Sequence, residues 1–312
     1  MGKLGVGKEV VPRGKAMLTR LDRDMLHTDT QKGRTMEKRL WTLPVLAALL
    51  IAAGSGGGVA MPSLGGPTGI VSLPNAAIAP TGQLETALSY QSLKLGALDM
   101  YEPTTDLTVW SLQALTGFAD RAELWGAYSR VRGVDDLNVW GIGGKAQLSA
   151  EPRDQTTLAV GGAYQRWDDS SEVGADTDLR SLYIVATKDF TPMGAHPWEW
   201  GPGPGTRMLG SLGILYLNAK PKGGSSSSLT RPFVGLQFVD AGGTELGLEY
   251  RWKDNDVDQD AVFSAVLRHP VSEFITIEAG TTNAAPGGVG LDKQDIFVRL
   301  GYAMPIGLGA RR

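Results

Sequence analysis

Between Gln83 and Met304 the chain repeats one pattern: runs of about ten residues in which apolar and polar side chains alternate, separated by turn residues. Thr244–Lys253, TELGLEYRWK, is the clearest. Leu246, Leu248, Tyr250 and Trp252 fall on one face of an extended strand, and Glu245, Gly247, Glu249, Arg251 and Lys253 on the other. Leu84, Thr86, Leu88 and Tyr90 likewise oppose Glu85, Ala87, Ser89 and Gln91. Ile296, Val298, Leu300 and Tyr302 oppose Asp295, Phe297, Arg299 and Gly301. A soluble sandwich turns the apolar face into a core. A transmembrane barrel turns it to lipid and the charged face to a wet interior.

The whole chain favours the barrel. About twelve such runs occur between residues 83 and 304, the even number that a closed antiparallel membrane barrel requires. Their connections alternate in character. GALDMYEP, RGVDD, DDSSEVGADTD, NAKPKGGSSSSLT, KDNDVDQD and TNAAPGGVGLDK are mostly longer, and several are acidic. TGFAD, EPRDQ, DAGG and HPVSE are tight. Long outer loops and short periplasmic turns are the asymmetry of outer-membrane barrels. Residues 191–206, TPMGAHPWEWGPGPGT, break it on the periplasmic side, with Trp198 and Trp200 suited to a membrane boundary. A soluble secreted β-sandwich is the contrary reading. It would need a partner sheet for each apolar face.

The start of the chain reads as a targeting region. Met36 begins a segment with Lys38 and Arg39, an apolar run from Leu40 to Ala53, and small residues through Ala60. The run is short for a spanning helix, so residues 36–60 are expected to be a cleaved signal peptide. Residues 1–35 are expected to be an upstream mis-called start or a disordered tail. Residues 61–82 form a leader with four prolines and four glycines, which rules out a regular helix or central strand. Residues 83–304 are then the barrel and 305–312 a tail. The expected fold is all-β: a single antiparallel transmembrane β-barrel preceded by an irregular Pro/Gly-rich leader.

Composition narrows the chemistry. There is no cysteine, so neither disulfides nor thiolate catalysis is available. Residues 1–60 hold ten Lys/Arg and five Asp/Glu, leaving 20 against 28 for residues 61–312, a balance near −8. That is a poor surface for nucleic acid. Gly141–Lys145, GIGGK, lacks phosphate-loop spacing and lies within a strand, where glycine relieves crowding. Asp254, Asp256, Asp258 and Asp260 lack the glycine and terminal glutamate of a calcium loop and read as a solvated loop tip, with bridging of lipopolysaccharide phosphates through divalent cations as the alternative. The three histidines, His27, His196 and His269, have no triad or zinc spacing. No catalytic, cofactor or metal set is expected, and the chain is expected not to be an enzyme. The lumen-facing candidates are Glu85, Glu245, Glu249, Arg251, Lys253 and Arg299. Closure sets the first strand beside the last, so Glu85 and Arg299 are expected to approach each other across that seam.

The leader and first strand carry a likeness. In residues 66–90, GPTGIVSLPNAAIAPTGQLETALSY, the positions Thr68, Gly69, Ile70, Pro74 and Ala76, followed by Pro80, Gly82 and Leu84, resemble the opening of the YjbH-like family of outer-membrane proteins linked to exopolysaccharide biosynthesis. GFADRAELWGAYS at 117–129 and TELGLEY are similar to strands of that family. The resemblance implies a barrel in the outer membrane of a diderm bacterium that assists export or surface handling of a polysaccharide. Its expected partners are outer-membrane lipid, lipopolysaccharide, the polysaccharide and periplasmic export proteins. The rival readings are a porin-like channel for small solutes, with an open lumen, and a structural or adhesive barrel with a plugged one.

Overall fold

Every alternating run becomes a strand. The structure, a computed structural model, describes residues 63, 67, 69–95, 105–132, 137–151, 156–169, 176–191, 206–253, 261–284 and 290–306. Its strands are β1 (Gln83–Leu95), β2 (Thr105–Phe118), β3 (Ala122–Arg132), β4 (Leu137–Glu151), β5 (Thr156–Asp169), β6 (Thr177–Asp189), β7 (Arg207–Pro221), β8 (Ser227–Val239), β9 (Glu245–Arg251), β10 (Val262–Pro270), β11 (Ile275–Ala284) and β12 (Gly290–Pro305). Each pairs antiparallel with its sequence neighbours, and β12 pairs with β1. The sheet therefore closes on itself and leaves no edge. This overturns the β-sandwich alternative.

The alternation sorts the side chains. Leu182 and Leu212 point outward and are each 61% exposed, whereas the inward Arg251 and Arg299 are 0% exposed. In water that arrangement would be inverted; in lipid it is the stable one. Aromatic side chains mark both boundaries of the apolar wall. Toward one end lie Tyr90 with Trp110, Trp140 with Tyr164, and Tyr250 with Trp252, each pair edge to face. Toward the other lie Phe118, Phe190, Phe274 and Tyr302.

The two ends of the barrel differ in their connections. Both chain ends of the barrel, the start of β1 and the end of β12, lie at the end that carries the turns β2–β3, β8–β9 and β10–β11. The β2–β3 turn is tightened by positive φ at Ala119 and Asp120. One expected outer loop is shorter than the sequence suggests. NAKPKGGSSSSLT is largely strand: β7 runs to Pro221 and β8 starts at Ser227, around Gly223 at φ 73°. The serines and threonine extend the hairpin beyond the apolar belt, where a polar strand face costs little. The signal peptide, Trp198, Trp200, the aspartates 254–260, His27 and His196 lie outside the described residues.

Inward glycines serve as seats for aromatics. Trp125 faces Gly143, Tyr183 faces Gly161, Phe233 faces Gly213 and Phe297 faces Gly280, each directly across a strand pair. The ring lies over the bare backbone, so GIGGK is a packing device. A Cβ at Gly213 would stand 2.3 Å from Phe233 Cζ and 2.6 Å from the Ile184 carbonyl. Gly213→Val should therefore destabilise the barrel by about 1–3 kcal/mol through overpacking. A urea midpoint equal to that of the parent would refute this packing role.

Candidate functional site

The leader runs inside the barrel. Ile70, Val71, Leu73, Ala76 and Ala79 are all at most 1% exposed. Leu73 and Ala76 pack with Tyr183, Val185, Leu215 and Phe233 of the wall. Ile70 and Val71 pack with Val266 and Phe297. Ile70 rests where two neighbouring strands are bare: a Cβ at Gly235 would lie 2.2 Å from its Cδ1, and one at Gly247 2.6 Å from its Cγ2.

Local geometry sets the leader's path. Gly69 and Pro74 bridge, and the Ile70 N–H donates to the Leu73 carbonyl at 3.1 Å. A Cβ at Gly69 would stand 2.2 Å from that same carbonyl, so the turn requires glycine. At the far end Thr81 bridges Gly117, and Gly82 takes φ 76° to turn the chain into β1. Of the residues that carry the family likeness, Gly69, Pro74, Ala76, Pro80 and Gly82 thus build or terminate this inserted segment. Thr68 lies outside the described residues.

Two charged clamps hold it. On β9 the Glu249 carboxylate accepts three consecutive backbone N–H groups: Val71 at 3.0 Å, Ser72 at 2.9 Å and Leu73 at 3.1 Å. The Ser72 hydroxyl adds a fourth bond at 2.5 Å. A concave row of amides closing on a carboxylate is an anion nest, here filled by the barrel's own side chain. Arg268 on β10 donates to the Gly69 and Ile70 carbonyls at 3.3 and 3.0 Å. On the opposite wall Lys145 and Glu123 form a buried pair at 3.0 Å. Lys145 also donates to the Asn75 carbonyl at 3.1 Å, and Glu123 accepts the Ala79 N–H at 3.0 Å. Thr187 accepts the Ala76 N–H at 2.9 Å.

A polar chain leads away from the leader into the wall. Asn75 donates to Gln237 at 3.2 Å, and Gln237 donates to Glu245 at 2.9 Å. Arg268 bridges Glu245 at 2.9 Å and Glu278 at 2.8 Å, and Glu278 also binds Arg299. Each pair sits in low dielectric, where geometry and additional hydrogen bonds must offset desolvation.

The expected lumen residues are placed as follows. Glu85, Glu245, Glu249, Arg251 and Arg299 face inward and are buried. Lys253 does not; β9 ends at Arg251, the alternation stops, and Lys253 is exposed. Arg299 stands opposite Ser89 across the seam, whereas Glu85 stands opposite Ala303. That four-residue offset is about 13 Å along the strands. Arg299 instead binds Glu278, its direct neighbour on β11. Register decides the pairing, and alternation alone does not report register. The clamp residues Glu123, Lys145 and Arg268, and Glu278 behind Arg268 in the wall, are additions that the sequence reading did not single out. Their signal was charge at inward positions of alternating strands. His269 lies at the end of β10, buried, with its Nδ1 2.9 Å from Thr244 Oγ1.

An apolar belt between two aromatic girdles, around a polar and filled interior, is the build of proteins that cross the bacterial outer membrane as strands. This chain is an outer-membrane-type β-barrel. No family model and no curated protein matches it. Among solved structures it is similar to the KdgM porin, at 9% identity over 70% of this chain and 98% of that one, with a TM-score of 0.45. It is also similar to the Acinetobacter baumannii outer membrane protein Omp33, at 8% identity over 72% and 100%, TM-score 0.38. A third is the translocator domain of the autotransporter NalP from Neisseria meningitidis, at 13% identity over 72% and 88%, TM-score 0.41.

Proposed function

We propose that the chain is a plugged outer-membrane barrel that assists export or surface handling of a polysaccharide, with its leader as the closure of the lumen. The observation that carries the reading is the leader's seat: five buried residues held by Glu249, Arg268, Lys145 and Glu123. The clamps are polar and act largely on backbone atoms, so the leader can leave without unfolding the wall. The polysaccharide half of the proposal rests on the likeness of Gly69, Pro74, Ala76, Pro80 and Gly82 to the YjbH-like opening. Outer-membrane lipid, the polysaccharide and periplasmic export proteins are the partners it calls for. Residues 36–60 supply the cleaved export signal, and no catalytic step is assigned to the chain.

A general porin needs a wetted wall. The wall residues Gln113, Arg231, Arg251 and Arg299 are at most 1% exposed, which favours a closed resting state. Planar-bilayer recording separates the readings. The refolded chain is expected to be silent, and deletion of residues 67–79 to give steady conductance that polysaccharide fragments block. Steady conductance of the parent would establish a porin instead. A silent deletion variant that still inserts would assign the work to the loops of a structural or adhesive barrel.

A further inference from the structure

On the outer wall, Gly144 and Gly162 stand directly opposite each other on β4 and β5. They alternate with the inward positions and so point to lipid. A Cβ at Gly162 would lie 2.8 Å from Leu182 Cδ2 and 2.9 Å from the Ser181 carbonyl, and one at Gly144 3.0 Å from Leu124 Cδ2. The Leu182 and Leu124 side chains lean over these two bare positions. A crevice of about 530 Å³ opens beside Gly162, lined by Leu124, Ile142 and Tyr164 and, between them, by Trp125, Gly143 and Ala163. Leu124 and Ile142 are 56% and 60% exposed, which leaves the crevice open to the hydrocarbon.

Its upper rim carries four cations, Arg166, Arg180, Lys220 and Lys222, and three acids, Asp168, Asp176 and Asp178. Arg180 on β6 is the direct neighbour of Tyr164, and it is outward and exposed. Lys220 on β7, also exposed, stands opposite Asp178 in the strand register and is therefore diagonal to Arg180 on the same face, about 7–8 Å away. Among the described residues neither cation has a hydrogen bond or ion pair. The nearby acids are engaged. Asp168 and Asp176 hold Arg166 at 2.5 and 3.0 Å, Asp176 also holds Lys222 at 3.2 Å, and Asp178 accepts the Tyr164 hydroxyl at 2.7 Å. Trp140 packs edge to face on Tyr164, 5.6 Å between centroids, so this level is the aromatic girdle at the headgroup zone. The end concerned is opposite the chain ends of the barrel, which makes it the extracellular one. Two cations that have no hydrogen bond or ion pair among the described residues, at the headgroup level and directly above a crevice in the apolar wall, have the complementarity of one amphiphile with an anionic head.

We propose that this face seats a phosphorylated glycolipid of the outer leaflet, its phosphate between Arg180 and Lys220 and one acyl chain in the crevice beside Gly162. The seat is independent of the plug and of any polysaccharide role. Native mass spectrometry of the full chain in mild detergent, incubated with bisphosphorylated lipid A, tests it. One lipid A per barrel is expected to remain bound. The dephosphorylated lipid should be retained roughly tenfold less, and Arg180→Gln/Lys220→Gln should lose the difference. Both changes are polar replacements at exposed positions, and an unaltered heat-modifiable gel shift will verify that the variant barrel is folded. Equal retention of the dephosphorylated lipid, undiminished retention by the double variant, or equal retention of phosphatidylglycerol would each overturn the assignment.

Discussion

Glu249→Ala is expected to free the leader while leaving the barrel intact. The substitution removes the acceptor of three successive N–H groups, those of Val71 and Leu73 buried and that of Ser72 half-buried, and of the Ser72 hydroxyl. Hydrogen bonds to a charged acceptor contribute about 1.5–3 kcal/mol each, and buried amides left without one add a desolvation penalty. Even with partial relaxation the loss should reach about 3 kcal/mol, on the order of a hundredfold in the leader's docking equilibrium. Hydrogen exchange read on a peptide spanning residues 69–79 should accelerate by that factor, while β9 and β10 amides keep their protection. Glu249→Gln, which retains one acceptor oxygen, should fall between. Unchanged protection of residues 71–73 in the alanine variant would mean that apolar packing of Ile70 and Leu73, not the carboxylate, holds the plug.

Glu278→Ala should cost more in global stability than any other single change in the wall. Glu278 is the carboxylate between two guanidiniums, Arg268 and Arg299, and all three are buried. Its removal takes the Glu278 carboxylate from Arg299 and from Arg268 at once, and breaking a buried ion pair from one side costs about 3–5 kcal/mol. Arg268 retains Glu245 at 2.9 Å, so the damage should fall on the β11–β12 side. The temperature at which the heat-modifiable gel shift disappears should drop accordingly. Glu278→Leu/Arg299→Leu removes both charges together and should recover most of the loss, because desolvation no longer opposes folding. A double variant weaker than the single would show that the ion pair contributes net stability beyond its own desolvation.

The two predictions act on different layers. Glu249 faces the leader, and Glu278 faces its wall neighbours. Arg268 joins them, since it binds the leader carbonyls and both wall carboxylates. Loss of the leader should therefore loosen Arg268 without breaking its pairs.

Strand number and facing were legible because they depend on a local, period-two rule. Glu245, Glu249 and Arg251 alternate with Leu246, Leu248 and Tyr250, and lipid outside then dictates which set points in. Loop boundaries were less legible. Ser227–Thr230 read as loop from composition, yet they pair with β7, because serine and threonine satisfy strand geometry outside the apolar belt. The Pro/Gly density of the leader excluded helix and strand, but it carried no information on where an irregular segment would lie.

The sequence by itself pointed to a membrane barrel of about twelve strands, with charges at inward positions and an irregular segment before β1. Each of these depends on neighbours within a few residues. Closure at twelve came from the structure. Only the tertiary structure decided which charges meet: Arg299 with Glu278 rather than Glu85, and Glu249 with the amides of residues 71–73, some 176–178 positions away in the chain. Register and strand stagger set those distances. They arise from closure of the whole sheet, and a one-strand pattern does not contain them.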